Sequence, residues 1–78
     1  MKLEKDDEEP SLLTIHEVAD RLSVSARTVT RLNITGGIPM PIRLMRSIRW
    51  NSREISLWIA AGCPSRQRWQ ELSKISLD

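Results

Sequence analysis

Thr14-Ile15-His16-Glu17-Val18-Ala19-Asp20-Arg21-Leu22-Ser23-Val24-Ser25-Ala26-Arg27-Thr28-Val29-Thr30-Arg31-Leu32 holds two helix starts in close succession. Thr14 followed three residues later by Glu17 is a capping box: the hydroxyl accepts from the Glu17 backbone N–H while the carboxylate reaches back to the Thr14 amide. Ile15, Val18, Ala19 and Leu22 then recur on one helical face, so a first helix runs from about Ile15 to Leu22. Ser23-Val24-Ser25 breaks the pattern. Val24 is the apolar residue that a tight helix–helix turn tucks inward, and Ser25 is a ready N-cap for a second helix beginning at Ala26. Val29 and Leu32 supply the inner face of that helix while Arg27, Thr28, Thr30 and Arg31 point away from it. Gly36-Gly37 stops it, leaving Asn33 to Gly37 as a frayed last turn.

Beyond this pair, Pro39 and Pro41 forbid helix, and the chain runs extended from Ile38 into Ile42. Ile42, Leu44, Ile48 and Trp50 then alternate with Arg43, Arg46 and Arg49, the period of two short strands joined near Met45 to Ser47. No Asn-Gly or Asp-Gly marks the turn, so the sequence leaves the register open. Ser52 is placed to cap a third helix with an Ile55, Trp58, Ile59 stripe, Glu54 at its positive end, and Gly62 with Pro64 to end it. In the tail, residues 65–78, Trp69, Leu72 and Ile75 recur every three residues and suggest a short helix that is marginal alone. Residues 1–10 offer no apolar face and read as a disordered acidic leader. The expected fold is mainly α with a small β-hairpin: three helices, a two-stranded hairpin and a short C-terminal helix.

Charge separates along the chain. Met1 to Pro10 sets two lysines against five acids, a net −3 that leaves +5 to residues 11–78. Between Arg21 and Arg53 there are seven arginines and neither an acid nor a lysine. Such a stretch suits planar, bidentate recognition of phosphate and guanine, which general solubility does not demand. A solvated basic face without a ligand is the plainer alternative. With 40% hydrophobic and 28% charged residues the chain is globular, although without Phe or Tyr its core falls to three Trp and the aliphatics. The lone Cys63 excludes an intramolecular disulfide, and with His16 distant in sequence no metal-ligand spacing arises. No cofactor is expected. No apolar run approaches a membrane span, and a reduced, cytoplasmic setting is the default expectation. Paired acids, a Gly-rich phosphate loop and an activated nucleophile are all missing from the sequence pattern, so an enzyme is not expected.

Two short helices with a three-residue connection, the second carrying outward Arg and Thr, form the unit that places a helix in the DNA major groove. Residues 13–64 resemble the AlpA and excisionase-type family of small MerR-like winged helix-turn-helix proteins. The resemblance rests on Leu-Leu-Thr-Ile-His-Glu-Val-Ala (residues 12–19), Leu-Ser-Val-Ser (22–25), Arg27-Thr28-Val29, Pro39-Met40-Pro41-Ile42-Arg43, Ser47-Ile48-Arg49-Trp50, and Glu54-Ile55 through Trp58-Ile59, in family order. It departs at Ser23, where the family usually has Gly, and at Met45-Arg46-Ser47, where glycines are common. The resemblance implies that residues 11–64 bind double-stranded DNA, with the second helix in the major groove and the hairpin against an adjacent groove or the backbone. It further implies an excisionase-like architectural factor that bends DNA for a site-specific recombinase, or an AlpA-like transcription regulator. Several copies would sit side by side, and cooperative self-association on DNA is consistent with the ~600 to 1,000 Å² that one such module buries.

Residue chemistry assigns the roles. Arg27 and Arg31 lie one turn apart on a helical face and suit guanine or phosphate, while Thr28 and Thr30 suit phosphate or a thymine methyl. Asn33 is a candidate for adenine, and Ser25 for both a cap and a phosphate contact. Arg46 at the hairpin tip, flanked by Arg43 and Arg49, suits phosphate or a narrow minor groove. The alternative for these three is protection of a strand edge against pairing. His16 reads as a surface residue, Trp50 and Trp58 as core anchors, and Cys63 as buried or half-buried. Trp69 fits either the core or the surface of a partner. That last option sustains a competing expectation, a protein-binding adaptor acting on a recombinase or another regulatory protein.

Overall fold

In the computed structural model, which describes residues 11–77, the chain runs β1 (Leu12–Leu13), α1 (Ile15–Leu22), α2 (Ala26–Thr35), β2 (Ile42–Leu44), β3 (Ser47–Asn51), α3 (Ser52–Ala60) and α4 (Arg66–Leu77). The acidic leader of residues 1–10 lies outside the described residues, as does the side chain of Ile75. Four helices and a three-stranded antiparallel sheet make a mixed α/β fold, where the sequence suggested three helices, a short C-terminal helix and a hairpin of only two strands. The third strand is β1. Its two residues pair with β3, Leu12 opposite Asn51 and Leu13 opposite Trp50, so β3 becomes the central strand in the order β1-β3-β2.

The Thr14–Glu17 capping box forms in both directions, with the Glu17 N–H donating to Thr14 Oγ1 at 3.1 Å and the Thr14 N–H to Glu17 Oε1 at 2.8 Å. At the other end of α1, Ser23 adopts the left-handed conformation (φ 59°, ψ 40°). Its N–H donates to the Asp20 carbonyl and the Val24 N–H to the Ala19 carbonyl, the pair of bonds that closes a helix when the residue after the cap turns left-handed. Val24 stays 39% exposed, against the expectation that the turn would tuck it inward: the bond from its N–H fixes its backbone, and Val18, Ala19 and Val29 already fill the space between the helices. Left-handed serine carries a steric cost that glycine avoids, so Ser23→Gly is expected to stabilise the fold by about 0.5–1 kcal/mol. A raised urea midpoint checks this; an unchanged or lower one would mean that the turn carries no such strain.

Ser25 caps α2, its hydroxyl accepting from the Thr28 N–H at 3.1 Å. The helix runs regularly through Thr35 to a left-handed Gly36 (φ 79°), so Asn33 and Ile34 are helical rather than frayed. Pro39 and Ile38 then enter the core. The hairpin closes over a two-residue loop, Met45-Arg46, with Met45 taking a positive φ of 56° in place of the usual glycine. Its register sets Ile42 opposite Arg49, Arg43 opposite Ile48 and Leu44 opposite Ser47. Residues directly opposite one another share a face, so Ile48 and Trp50 fall on one side with Arg43, and Ile42 and Leu44 on the other with Arg49. The apolar residues of the two strands therefore do not form one face, and Ile42 and Leu44 remain 40% and 45% exposed.

The cap of α3 is Asn51, whose Oδ1 accepts from the Glu54 N–H at 2.9 Å, and not Ser52. Ser52 is the first helical residue and is buried, where its hydroxyl accepts from the Ser11 N–H at 3.1 Å while its own N–H donates to the Ser11 carbonyl at 2.7 Å. Ile55 and Trp58 are buried as the stripe required, but Ile59 at the edge of that stripe is 37% exposed. Cys63 is exposed, not buried: the chain leaves α3 through left-handed Gly62 and Cys63, and the Cys63 N–H donates back to the Trp58 carbonyl.

Trp50, Trp58, Ile38, Ile55, Val18 and Val29 form the buried core, and both buried indoles are satisfied. Trp50 Nε1 donates to the Pro39 carbonyl and Trp58 Nε1 to the Pro64 carbonyl, each at 2.8 Å. The tail is docked. Trp69 packs against the core and donates from Nε1 to Glu54 Oε2 at 2.9 Å, which settles it onto its own chain.

Candidate nucleic-acid interface

Residues 27, 30, 31 and 34 of α2 fall on one face by helical periodicity, opposite buried Val29. Arg27, Thr28, Thr30 and Arg31 are all exposed. The N-terminal half of that face and the hairpin enclose an open groove of about 450 Å³. Arg27 and Thr30 line it from α2, Arg46 and Arg49 from the hairpin, and Thr14 and His16 from the start of α1. Three arginines from two elements thus converge on one concavity. His16 is exposed, as its sequence position suggested, and takes part in the same wall.

Among the described residues, Arg27, Arg31, Arg43 and Arg46 pair with no carboxylate, whereas Arg68 of α4 forms an exposed ion pair with Glu71 at 3.5 Å. Arg49 is half-buried and donates from Nη1 to the neighbouring Ile48 carbonyl at 2.8 Å, which holds its guanidinium against the strand. Unpaired guanidiniums around a concave surface focus a positive potential that attracts anionic polymers.

The other expected residues are placed differently. Ser25 and Thr28 engage each other, their hydroxyls 3.0 Å apart, so the hydroxyl of Ser25 is committed to the cap. Arg43 stands on the outer strand beyond the groove lining, and Arg31 lies one turn past Arg27 toward the exposed side. Asn33 is turned from the exposed face: its Oδ1 accepts from Arg66 Nη2 at 2.7 Å, and the same guanidinium reaches the Asn33 carbonyl at 3.2 Å and, through Nε, the Ile38 carbonyl at 3.0 Å. Ile34, overlooked in the sequence because it fell in the supposed frayed turn, is 77% exposed on the arginine face. The signal was present in its spacing from Arg27, Thr30 and Arg31.

No helix among the described residues is long and apolar enough to cross a membrane, and no three His, Cys, Asp or Glu side chains among them gather as metal ligands. Comparison with protein-family models, curated proteins and solved structures finds no match to this chain.

Proposed function

We propose that this chain is a sequence-specific DNA-binding protein of winged helix-turn-helix design, excisionase-like or AlpA-like in role, with α2 in the major groove and the β2–β3 hairpin on an adjacent groove or the backbone. The observation that carries this reading is the groove in which Arg27 and Thr30 of α2 face Arg46 and Arg49 of the hairpin, with Arg27 and Arg46 free of any carboxylate among the described residues. A short three-residue connection between α1 and α2 and the exposed face of Arg27, Thr30 and Arg31 support it. Arg27 and Arg31 read guanine or grip phosphate, Thr28 and Thr30 add phosphate or methyl contacts, and Arg43, Arg46 and Arg49 hold the backbone.

Fluorescence anisotropy on duplexes enriched from a random pool, titrated at several salt concentrations, tests this. Arg27→Ala and Arg31→Ala should each cost about 1–3 kcal/mol and relax sequence preference, whereas Arg46→Ala should weaken all duplexes alike and flatten the salt slope by about one ion. Salt-insensitive binding, or equal trivial losses at all three positions, would sink the assignment.

One observation favours the second reading, an adaptor that docks on another regulatory protein: Met45 at the hairpin tip is 94% exposed, with Met40, Ile42 and Leu44 exposed nearby in sequence. Apolar surface of this kind suits a protein partner. Failure of every duplex to bind would leave this reading in place.

A further inference from the structure

Among the exposed large hydrophobic side chains of the described residues, Ile34 is second only to Met45. It is 77% exposed in the next-to-last position of α2, a helix whose other aliphatics, Val29 and Leu32, are buried or half-buried. Helix propensity does not account for it, since isoleucine is a poorer helix former than alanine, lysine or glutamate, which would serve an exposed site better. Its neighbours on the face are Arg27, Thr30 and Arg31, so it is one apolar side chain set among cationic and hydroxyl groups. A protein interface would ask for a contiguous apolar patch there. A single methyl group on an otherwise polar, anionic ligand asks for this arrangement.

The spacing 27, 30, 31, 34 is i, i+3, i+4, i+7, the set that a helix lying along the major groove presents to base edges. We infer that Ile34 is a specificity-determining residue that contacts the C5-methyl group of a thymine, an inference that rests on the DNA-binding reading above. With a rise of 1.5 Å per residue Ile34 lies about 10 Å along the helix from Arg27, so the two side chains address different base pairs. The preferred site therefore carries a thymine displaced from the base pair that Arg27 addresses, toward the carboxyl end of α2. Arginine contacts set one end of the subsite and methyl packing the other.

The test uses the full chain and the duplex enriched from a random pool. Each thymine in turn is replaced by deoxyuridine, which removes the methyl and leaves every hydrogen-bonding group in place. Wild type is expected to lose about fourfold in affinity at the thymine that Ile34 addresses, the worth of one buried methyl, whatever penalty the methyl contacts of Thr28 and Thr30 add at other thymines. Ile34→Ala should lose a similar factor on the thymine duplex and show no further loss with deoxyuridine at that position. The side chain is exposed, so the variant keeps its fold, and a matching thermal melt verifies this. Indifference of wild type to deoxyuridine at every thymine overturns the inference, as does an Ile34→Ala variant in which every deoxyuridine penalty of wild type persists undiminished. In both cases salt-dependent, sequence-selective binding would remain, so the DNA-binding reading survives; if no duplex is enriched and none binds, both fall together.

Discussion

Replacing Trp50 by alanine is expected to leave the domain largely unfolded at room temperature. Trp50 is fully buried on the central strand, opposite Leu13 of β1, and its indole N–H satisfies the Pro39 carbonyl at 2.8 Å. Truncating a buried tryptophan costs about 3–5 kcal/mol from lost burial and the cavity left behind. The Pro39 carbonyl, left unpaired in an apolar setting, adds to that. Sixty-seven described residues carry about 3–10 kcal/mol of net stability in all. The loss is thus comparable with the whole. Circular dichroism on heating should show no cooperative transition for Trp50→Ala above about 25 °C. Trp50→Phe keeps most of the apolar surface and forfeits the hydrogen bond, so it should melt cooperatively at a lower temperature, at a cost of about 1–3 kcal/mol. An alanine variant melting within a few degrees of wild type would mean that the core closes without its central strand.

The second large effect is at Arg66. Its guanidinium donates to the Ile38 carbonyl and to both the carbonyl and the side-chain oxygen of Asn33, while its backbone N–H donates to the Gly36 carbonyl at 2.9 Å. The C-terminal end of α2, which has no basic residue in its last turn, is thereby closed by a cation from another helix. Hydrogen bonds to a charged donor contribute about 1.5–3 kcal/mol each, discounted here because the group is half-buried and water can replace part of them. Arg66→Met, which keeps the aliphatic stem, is expected to cost about 2–4 kcal/mol. Arg66→Lys should recover part of this, since one ammonium cannot span three oxygens in the geometry of the fork. Denaturant midpoints measure both. Arg66 lines no part of the groove, so DNA affinity of the folded fraction should stay unchanged. A stability change below about 0.5 kcal/mol would show that water serves these carbonyls as well as Arg66 does.

These residues also mark where the sequence was readable and where it was not. α1 was legible to the residue because both its signals, the Thr14–Glu17 exchange and the Ile15–Val18–Ala19–Leu22 stripe, are local. The start of α3 was misplaced by one residue. Asn51 and Ser52 are both good caps, and what decides between them is Ser11, far off in sequence, which draws the Ser52 hydroxyl into the β1–β3 contact. β1 is too short to carry a periodic signal and exists only through its pairing with β3. The tail looked marginal because its anchors are distant: Asn33 and Ile38 for Arg66, Glu54 for Trp69. In the candidate site, Arg27, Thr30, Arg46 and Arg49 come together as their positions suggested, whereas Asn33 is engaged by a residue that its local sequence does not reveal. The faces of the hairpin depended on the length of its loop, and Met45 entered a positive φ without a glycine to announce it.

The distribution of the indoles has an optical consequence. The chain has three Trp and neither Tyr nor Phe, so its near-ultraviolet emission comes from Trp50, Trp58 and Trp69 alone. Two are sealed in the core, the third is bonded to a carboxylate at the root of α3, and none lines the groove. Whatever occupies the arginine groove touches no chromophore of the protein. The light this molecule emits therefore reports its integrity, with Trp69 sensing the docking of α4 and Trp50 the closure of the sheet, while occupancy of the groove has to be read from the ligand.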